Sequence, residues 1–176
     1  ALLAGTDVLA LARQAEQKIQ AILQPDVAYD VVLMVGVGAA NAGELVVNGR
    51  GVAFICLEHF TGVANPDTQG LGLDPELIPL WLAHELTHVI RYTSPDSRSE
   101  MRTLVQDAGG YYSYWETGRH ATLRELLVNE GVAVQVSRAV PHRLARRVAV
   151  DAGQAALRVH VGVLALQLPA VLEHAG

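Results

Sequence analysis

The sequence predicts an α+β fold, in which an N-terminal helix and a small mixed β-sheet precede a mostly helical second half. Three observations support this prediction. Apolar residues recur at helical spacing near the start, three β-branched segments separated by glycines follow, and the later apolar segments again have helical spacing. With 176 residues, 51% of them hydrophobic, the chain suits one folded domain. We expect that domain to span residues 1–176, with the sheet in about 1–92 and the helical part in about 93–176.

The predicted sheet follows the first helix. A helical pattern begins after Asp7 and ends at Pro25, because proline stops a helix. The next extended segments are Val31–Val37, Glu44–Asn48 and Val52–Glu58. The residues Asn48–Gly51 are typical of a hairpin turn, so we expect the last two segments to pair.

The helices of the second half have recognisable start signals. Asp74 followed by Pro75 marks one start, with Leu77 or Ile78 as the alternative because Pro79 lies close behind. A capping-box pattern at Thr122 marks another. The expected helices cover about 75–92, Leu123–Ala139 and Arg143–Leu168. Residues 94–120 form a polar, mixed stretch without a regular pattern.

Charge and cysteine content exclude several kinds of partner. The formal net charge is −5 and the basic residues do not gather into one stripe, so we expect no nucleic-acid partner. The longest apolar stretch, Val159–Val171, is too short to cross a bilayer, so we expect no membrane span.

Cys56 is the only cysteine, which leaves His, Asp and Glu as metal ligands. The chain starts with Ala1 rather than Met; we favour a cytoplasmic protein, with a secreted, processed product as the alternative, and leave the oligomeric state open.

The chemistry of the sequence is concentrated in His84-Glu85-Leu86-Thr87-His88. Residues i and i+4 share one face of a helix, so two neutral imidazoles there can bind one Zn²⁺ ion. Glu85 is rotated ~100° from His84, which puts its carboxylate beside a water molecule on the metal. The alternative is that both histidines are core or surface residues of an amphipathic helix. Because buried imidazoles need partners, we favour metal binding.

A third ligand has to come from further along the chain. A third histidine shortly after the motif is excluded, because Arg91 and Ser94 occupy the glycine and histidine positions of that pattern. The candidates are Glu100, Asp107, Glu116, His120, Glu125 and Glu130.

Glu130 is the candidate that we favour. It lies in a helical stripe of apolar residues formed by Leu123, Leu126, Leu127 and Val134, where a carboxylate is costly unless a cation neutralises it. Glu125 already has a role in the capping box, and Gly131 would let the two helices approach closely. An ion pair between Glu130 and Arg91 or Arg138 is the alternative.

These segments resemble the gluzincins, metallopeptidases with His-Glu-x-x-His and a downstream Glu. The resemblance lies in WLAHELTHVIR (Trp81–Arg91) and LLVNEGVAVQVSR (Leu126–Arg138), and it is closer to small bacterial families of predicted zinc-dependent proteases than to thermolysin. It implies a zincin-like fold and a zinc-dependent peptidase with His84, His88 and Glu130 as ligands. It also implies Glu85 as general base and proton shuttle, and a peptide substrate along Val52–Glu58 as the edge strand.

The sequence departs from this group in one respect. Thermolysin-like enzymes have an Asp four residues after the ligand Glu to orient a histidine, and here that position is Val134. Asn129, Asp107 or a backbone carbonyl would have to do this work.

The donor that steadies the oxyanion is left open. The candidates are Tyr112, Tyr111, His120, Tyr114 and His142, each of which could instead be a core or surface residue. His59, His160 and His174 are expected to be structural or exposed, with a second metal site at Glu58 and His59 as a minor alternative.

Three functions remain in competition. The first is an active zinc peptidase. The second is a non-catalytic binding module stabilised by zinc, against which the intact Glu85 argues. The third is a zinc hydrolase of a non-peptide amide or ester.

Overall fold

The computed structural model describes residues 5–140, which lie within a compact unit formed by residues 1–142. This part of the chain has the predicted α+β class, with four α-helices and a three-stranded mixed sheet. The predicted helix Arg143–Leu168, and with it His142, His160 and His174, lies outside the described residues. The single domain over residues 1–176 therefore stays a prediction.

The helices are close to their predicted positions. They are α1 (Val8–Leu23), α2 (Ile78–Thr93), α3 (Glu100–Asp107) and α4 (Leu123–Ala139). Asp7 caps α1 by accepting a hydrogen bond from the Ala10 amide. Asp74 and Pro75 start a short 3₁₀ turn, so α2 itself begins at the alternative start, Ile78. None of the described helices is long and apolar enough to cross a membrane.

The strands of the sheet are β1 (Tyr29–Met34), β2 (Ala42–Val47) and β3 (Arg50–Cys56), in the spatial order β1-β3-β2. The predicted hairpin is present, since β2 and β3 pair antiparallel around Asn48 and Gly49, both of which have positive φ. β1 pairs parallel to β3. The segment Val52–Glu58 was predicted to be the edge strand, and this is wrong, because β3 has a partner on both sides.

The first strand also ends earlier than the predicted Val31–Val37. It stops at Met34, and the chain then turns because the amides of Gly36 and Gly38 donate hydrogen bonds to the Glu58 carboxylate, at 2.8 and 2.9 Å. Val37 consequently lies in this turn and is 91% exposed.

The main core lies between α1, α2 and one face of the sheet. Ile19 of α1, Leu86 of α2 and Ile55 of β3 are fully buried there. Gly51 is needed at the contact between β3 and α2, because a Cβ atom on it would lie 2.7 Å from the Val89 Cβ. This contact holds α2, which carries the metal motif, directly under the central strand.

A short helix, α3, was not predicted within residues 94–120. The Ser99 hydroxyl caps it by accepting from the Arg102 amide and donates to the Arg91 carbonyl oxygen at the end of α2. Met101 and Val105, one turn apart, bury its apolar side in a second core cluster. The i, i+4 spacing after a serine was a usable signal, but α3 has only eight residues.

Candidate metal centre

The two histidines of the motif lie inside the protein on α2. His84 is 5% exposed and His88 is 2% exposed, and their ring centroids are 4.7 Å apart with the rings nearly perpendicular. Burial lowers the pKa of His88, and the carboxylates of Glu44 and Glu130 oppose this only in part. A low pKa favours the neutral imidazole, which is the form that binds a metal.

Glu130 comes from α4 to the same place. Its carboxylate oxygens lie 3.3 Å from His84 Nε2 and 3.6 Å from His88 Nε2. One ligand atom from each of these three residues lies within 4.8 Å of the others, and no second group of this kind occurs in residues 5–140. Of the six candidate third ligands, the fold brings Glu130 to the histidines.

The donor set fits a zinc ion. Ligand atoms ~2.0–2.1 Å from a tetrahedral ion are ~3.4 Å apart from one another, and the two distances to Glu130 are 3.3 and 3.6 Å. Two imidazoles and one carboxylate are also a ligand set of catalytic zinc sites, in which the fourth position is left for water or substrate. The residues present could therefore hold Zn²⁺ with an open coordination position.

The apolar stripe that predicted Glu130 is not buried, although Glu130 does lie beside the two histidines. Leu123 and Leu127 of the supposed buried stripe are 73% and 67% exposed. The buried face of α4 is instead formed by residues at i, i+4 spacing: Glu125, Asn129, Ala133 and Ser137. Glu130 lies beside this face with its side chain 43% exposed. Gly131 provides no close approach either, because a Cβ atom there would have no neighbour within 4 Å among the described residues.

Glu85 is buried beside a second acid. It is 5% exposed, and its carboxyl group lies near that of Glu44 on β2. Burial raises the pKa of Glu85 well above its ordinary value, and the nearby carboxyl groups of Glu44 and Glu130 raise it further. Sequence reasoning missed Glu44. A single acid on the helix-facing side of a mostly apolar strand was the signal that could have indicated it.

Two tyrosine hydroxyl groups converge on Glu44. Those of Tyr92 and Tyr112 each lie 3.2 Å from its Oε1 atom. Burial raises the pKa of both tyrosines, and Glu44 raises them further, so both hydroxyls keep the proton that they donate. Tyr112 is the first candidate for stabilising an oxyanion. It would have to break its hydrogen bond to Glu44 to do so, and this role stays a prediction.

The amide of Asn129 and the Arg91 guanidinium join the two ligand helices. Asn129 donates to the Tyr92 hydroxyl at 2.6 Å and accepts from Arg91 Nε at 3.3 Å. Arg91 also pairs with Glu125, with 2.5 Å between Nη2 and Oε1. The alternative pairing of Arg91 with Glu130 is therefore replaced by this contact with Glu125.

Glu125 lacks its predicted cap role. Its amide donates to the Thr122 hydroxyl oxygen, but the Thr122 amide donates to Glu100 of α3 rather than to the Glu125 carboxylate. Glu100 thus completes the cap of α4 and is not a ligand.

The remaining candidates lie on the surface or elsewhere in the fold. Asp107, Glu116, Tyr111, Tyr114 and His120 are all exposed. Tyr111 and His120 line a depression together with Asp107 and Glu116, and this depression is not lined by His84, His88 or Glu130.

Glu58 and His59 form no metal group in the described part of the chain. Glu58 holds the turn after β1, and His59 is buried with no hydrogen-bond partner for either ring nitrogen among the described residues. His59 is therefore buried, which agrees with the structural and not with the exposed alternative for it.

Comparisons with known proteins add nothing to this description. No known protein family matches the chain, and no curated protein or solved structure matches it significantly. The likeness to gluzincins thus depends on the chain's own residues alone.

Proposed function

We propose that this protein is a zinc-dependent peptidase, in which His84, His88 and Glu130 bind the metal and Glu85 is the general base. The observation that carries the proposal is the meeting of these three ligand atoms within 4.8 Å of one another, beside a buried glutamate that follows the first histidine. The ligands come from two helices, and about forty residues separate His88 from Glu130.

The reaction would divide between the metal and Glu85. When bound, a zinc ion there would act as a Lewis acid that makes water more acidic and polarises a carbonyl group. Glu85 would accept a proton from the attacking water and deliver it to the leaving nitrogen. Its burial keeps bulk water away from that proton transfer.

The strand order changes the place that we propose for a peptide substrate, which was expected along Val52–Glu58. β3 is central, so an extended peptide would instead lie along the outer edge of β2. Val46 exchanges two backbone hydrogen bonds with Tyr112 on that edge, at 3.2 and 2.9 Å. Because antiparallel strands alternate, the backbone groups of Ala42 and Glu44 face the same way. These two residues would pair with a peptide beside the metal site.

The experiment that tests the proposal combines metal analysis with a peptide-library digest. Wild-type protein should contain about one zinc ion per chain and cleave peptides, and Glu85→Gln should keep zinc but lose cleavage by at least about a hundredfold. Glu130→Gln should lose both. Glu76→Gln changes an exposed glutamate before α2 and is the matched control. Undiminished cleavage by zinc-loaded Glu85→Gln would reject Glu85 as the base.

The same experiment separates the two alternatives. A non-catalytic zinc module would bind zinc in the wild type and in Glu85→Gln without cleaving any peptide. A zinc hydrolase of small amides or esters would cleave such compounds, and Glu85→Gln would abolish this activity, while the peptide library stayed intact.

A further inference from the structure

Tyr92 occupies a central position next to the proposed metal site. It lies one turn after His88 on α2 and is 1% exposed. Its ring stacks on the His88 imidazole, with centroids 5.9 Å apart and 24° between the planes. Its ring therefore touches a proposed ligand, although its hydroxyl group points to other partners.

The hydroxyl group of Tyr92 joins two other parts of the fold. It accepts a hydrogen bond from the Asn129 side-chain amide at 2.6 Å and donates one to Glu44 Oε1 at 3.2 Å. A hydroxyl has one proton, so the direction of both bonds follows from the amide nitrogen being only a donor. One oxygen atom thus connects α2 with α4 and with β2.

Both partners are neighbours of the proposed machinery. Asn129 immediately precedes Glu130, and the Glu44 carboxyl group lies near that of Glu85. The Tyr92 hydroxyl is thus linked through one residue to the third ligand and through another to the base.

A directional contact between α2 and α4 is needed to fix the rotation of α4. The buried face of α4 holds polar and small side chains, namely Glu125, Asn129, Ala133 and Ser137. Small side chains allow a helix to pack at several rotations about its own axis. The hydrogen bond from Asn129 to Tyr92, at 2.6 Å, is directional and is made at only one of these rotations. Successive residues are ~100° apart around a helix, so a modest rotation of α4 would take Glu130 away from the histidines.

We infer that Tyr92 is a positioning residue, whose hydroxyl sets the rotation of α4 through Asn129 and thereby the place of Glu130 relative to His84 and His88. This inference rests on the proposed metal site.

The test is the variant Tyr92→Phe, which keeps the ring on His88 and removes only the oxygen. Tyr29→Phe is the matched control, because the Tyr29 hydroxyl also accepts a hydrogen bond, from Gln20 at 2.9 Å, but on β1 and outside this network. Zinc affinity is measured by competition with a chromophoric chelator, and ligand geometry by the visible absorption of the Co²⁺-substituted protein. Tyr92→Phe should weaken zinc binding about 10–100-fold and change the Co²⁺ spectrum, while Tyr29→Phe matches the wild type.

The possible results distinguish the positioning role of Tyr92 from the proposed function. Unchanged affinity and spectrum in Tyr92→Phe, with zinc bound by the wild type, would overturn the positioning role alone. A wild type that binds no zinc would overturn the proposed function and this inference with it. If circular dichroism shows Tyr92→Phe to be unfolded, Asn129→Leu replaces it, because leucine has about the same size and removes the amide donor without adding a charge, and the same loss is expected.

Discussion

Two arginines form ion pairs in very different surroundings. The side chains of Arg91 and Glu125 are 19% and 10% exposed, and those of Arg50 and Asp30 are 50% and 49% exposed. Removing one partner of a largely buried pair leaves the other charge without compensation. We expect Arg91→Ala to lower the free energy of unfolding by about 2–3 kcal/mol, and Arg50→Ala to change it little. Urea denaturation of both variants checks this, and equal losses would contradict it.

Glu58 should make the stability depend on pH. Burial alone would raise its pKa, but hydrogen bonds from the amides of Gly38, Glu58 itself and Gly36, together with the nearby His59, outweigh this and lower the pKa below its ordinary value. The folded state then binds fewer protons than the unfolded state near pH 4. The stabilisation is therefore complete above the ordinary glutamate pKa and is lost as the pH falls through the lower, folded-state value.

The variant Glu58→Gln isolates this contribution. At neutral pH we expect it to lower the free energy of unfolding by about 1–2 kcal/mol, because it weakens hydrogen bonds to a charged acceptor. Below about pH 4 the difference from the wild type should shrink. Urea denaturation at pH 7 and at pH 3.5 measures both values, and a difference that grows in acid would contradict the prediction.

At the scale of the elements, two glycines should respond oppositely to alanine. Gly51 of β3 faces Val89 of α2, and a Cβ atom there would lie 2.7 Å from the Val89 Cβ, so Gly51→Ala should destabilise by about 1–3 kcal/mol. Gly131 is exposed in α4 and has open space around it, so Gly131→Ala should stabilise by about 0.5–1 kcal/mol. Thermal unfolding of the two variants tests the pair, and destabilisation by Gly131→Ala would show that the helices do approach each other there.

The helices and strands could largely be predicted from the sequence, but the pairing of the strands could not. The caps and prolines around α1, α2 and α4 are local signals, as is the Asn48-Gly49 turn of the hairpin. That β1 pairs with β3 rather than with β2 depends on contacts between distant residues, and no local pattern encodes it. For this reason the strand Val52–Glu58 was expected at an edge and is found in the centre.

For the whole molecule, metal and stability should be coupled. A ligand that binds only the folded state stabilises it by RT ln(1 + [L]/Kd), about 4 kcal/mol at a free concentration of 1,000 Kd. For a chain of this size that corresponds to a rise in Tm of roughly 10 °C. We expect EDTA to remove this increment in the wild type and to leave the Tm of Glu130→Gln unchanged. Differential scanning calorimetry with and without zinc measures it, and an EDTA-insensitive wild type would contradict the metal site.

The sequence alone determined the pair of histidines and the intervening glutamate, because His84, Glu85 and His88 lie within one helical turn and their relative positions follow from helix geometry. The tertiary structure decided which distant acid meets them, which acid on a strand lies against Glu85, and which tyrosine joins the helices. Glu130 lies beside the two histidines, and polar contacts of Arg91 with Asn129 and Glu125, rather than an apolar stripe, hold α4 against α2. The physical reason is that spacing along one helix is set by local backbone geometry, whereas the rotation of one helix against another is set by the side chains that fill their contact.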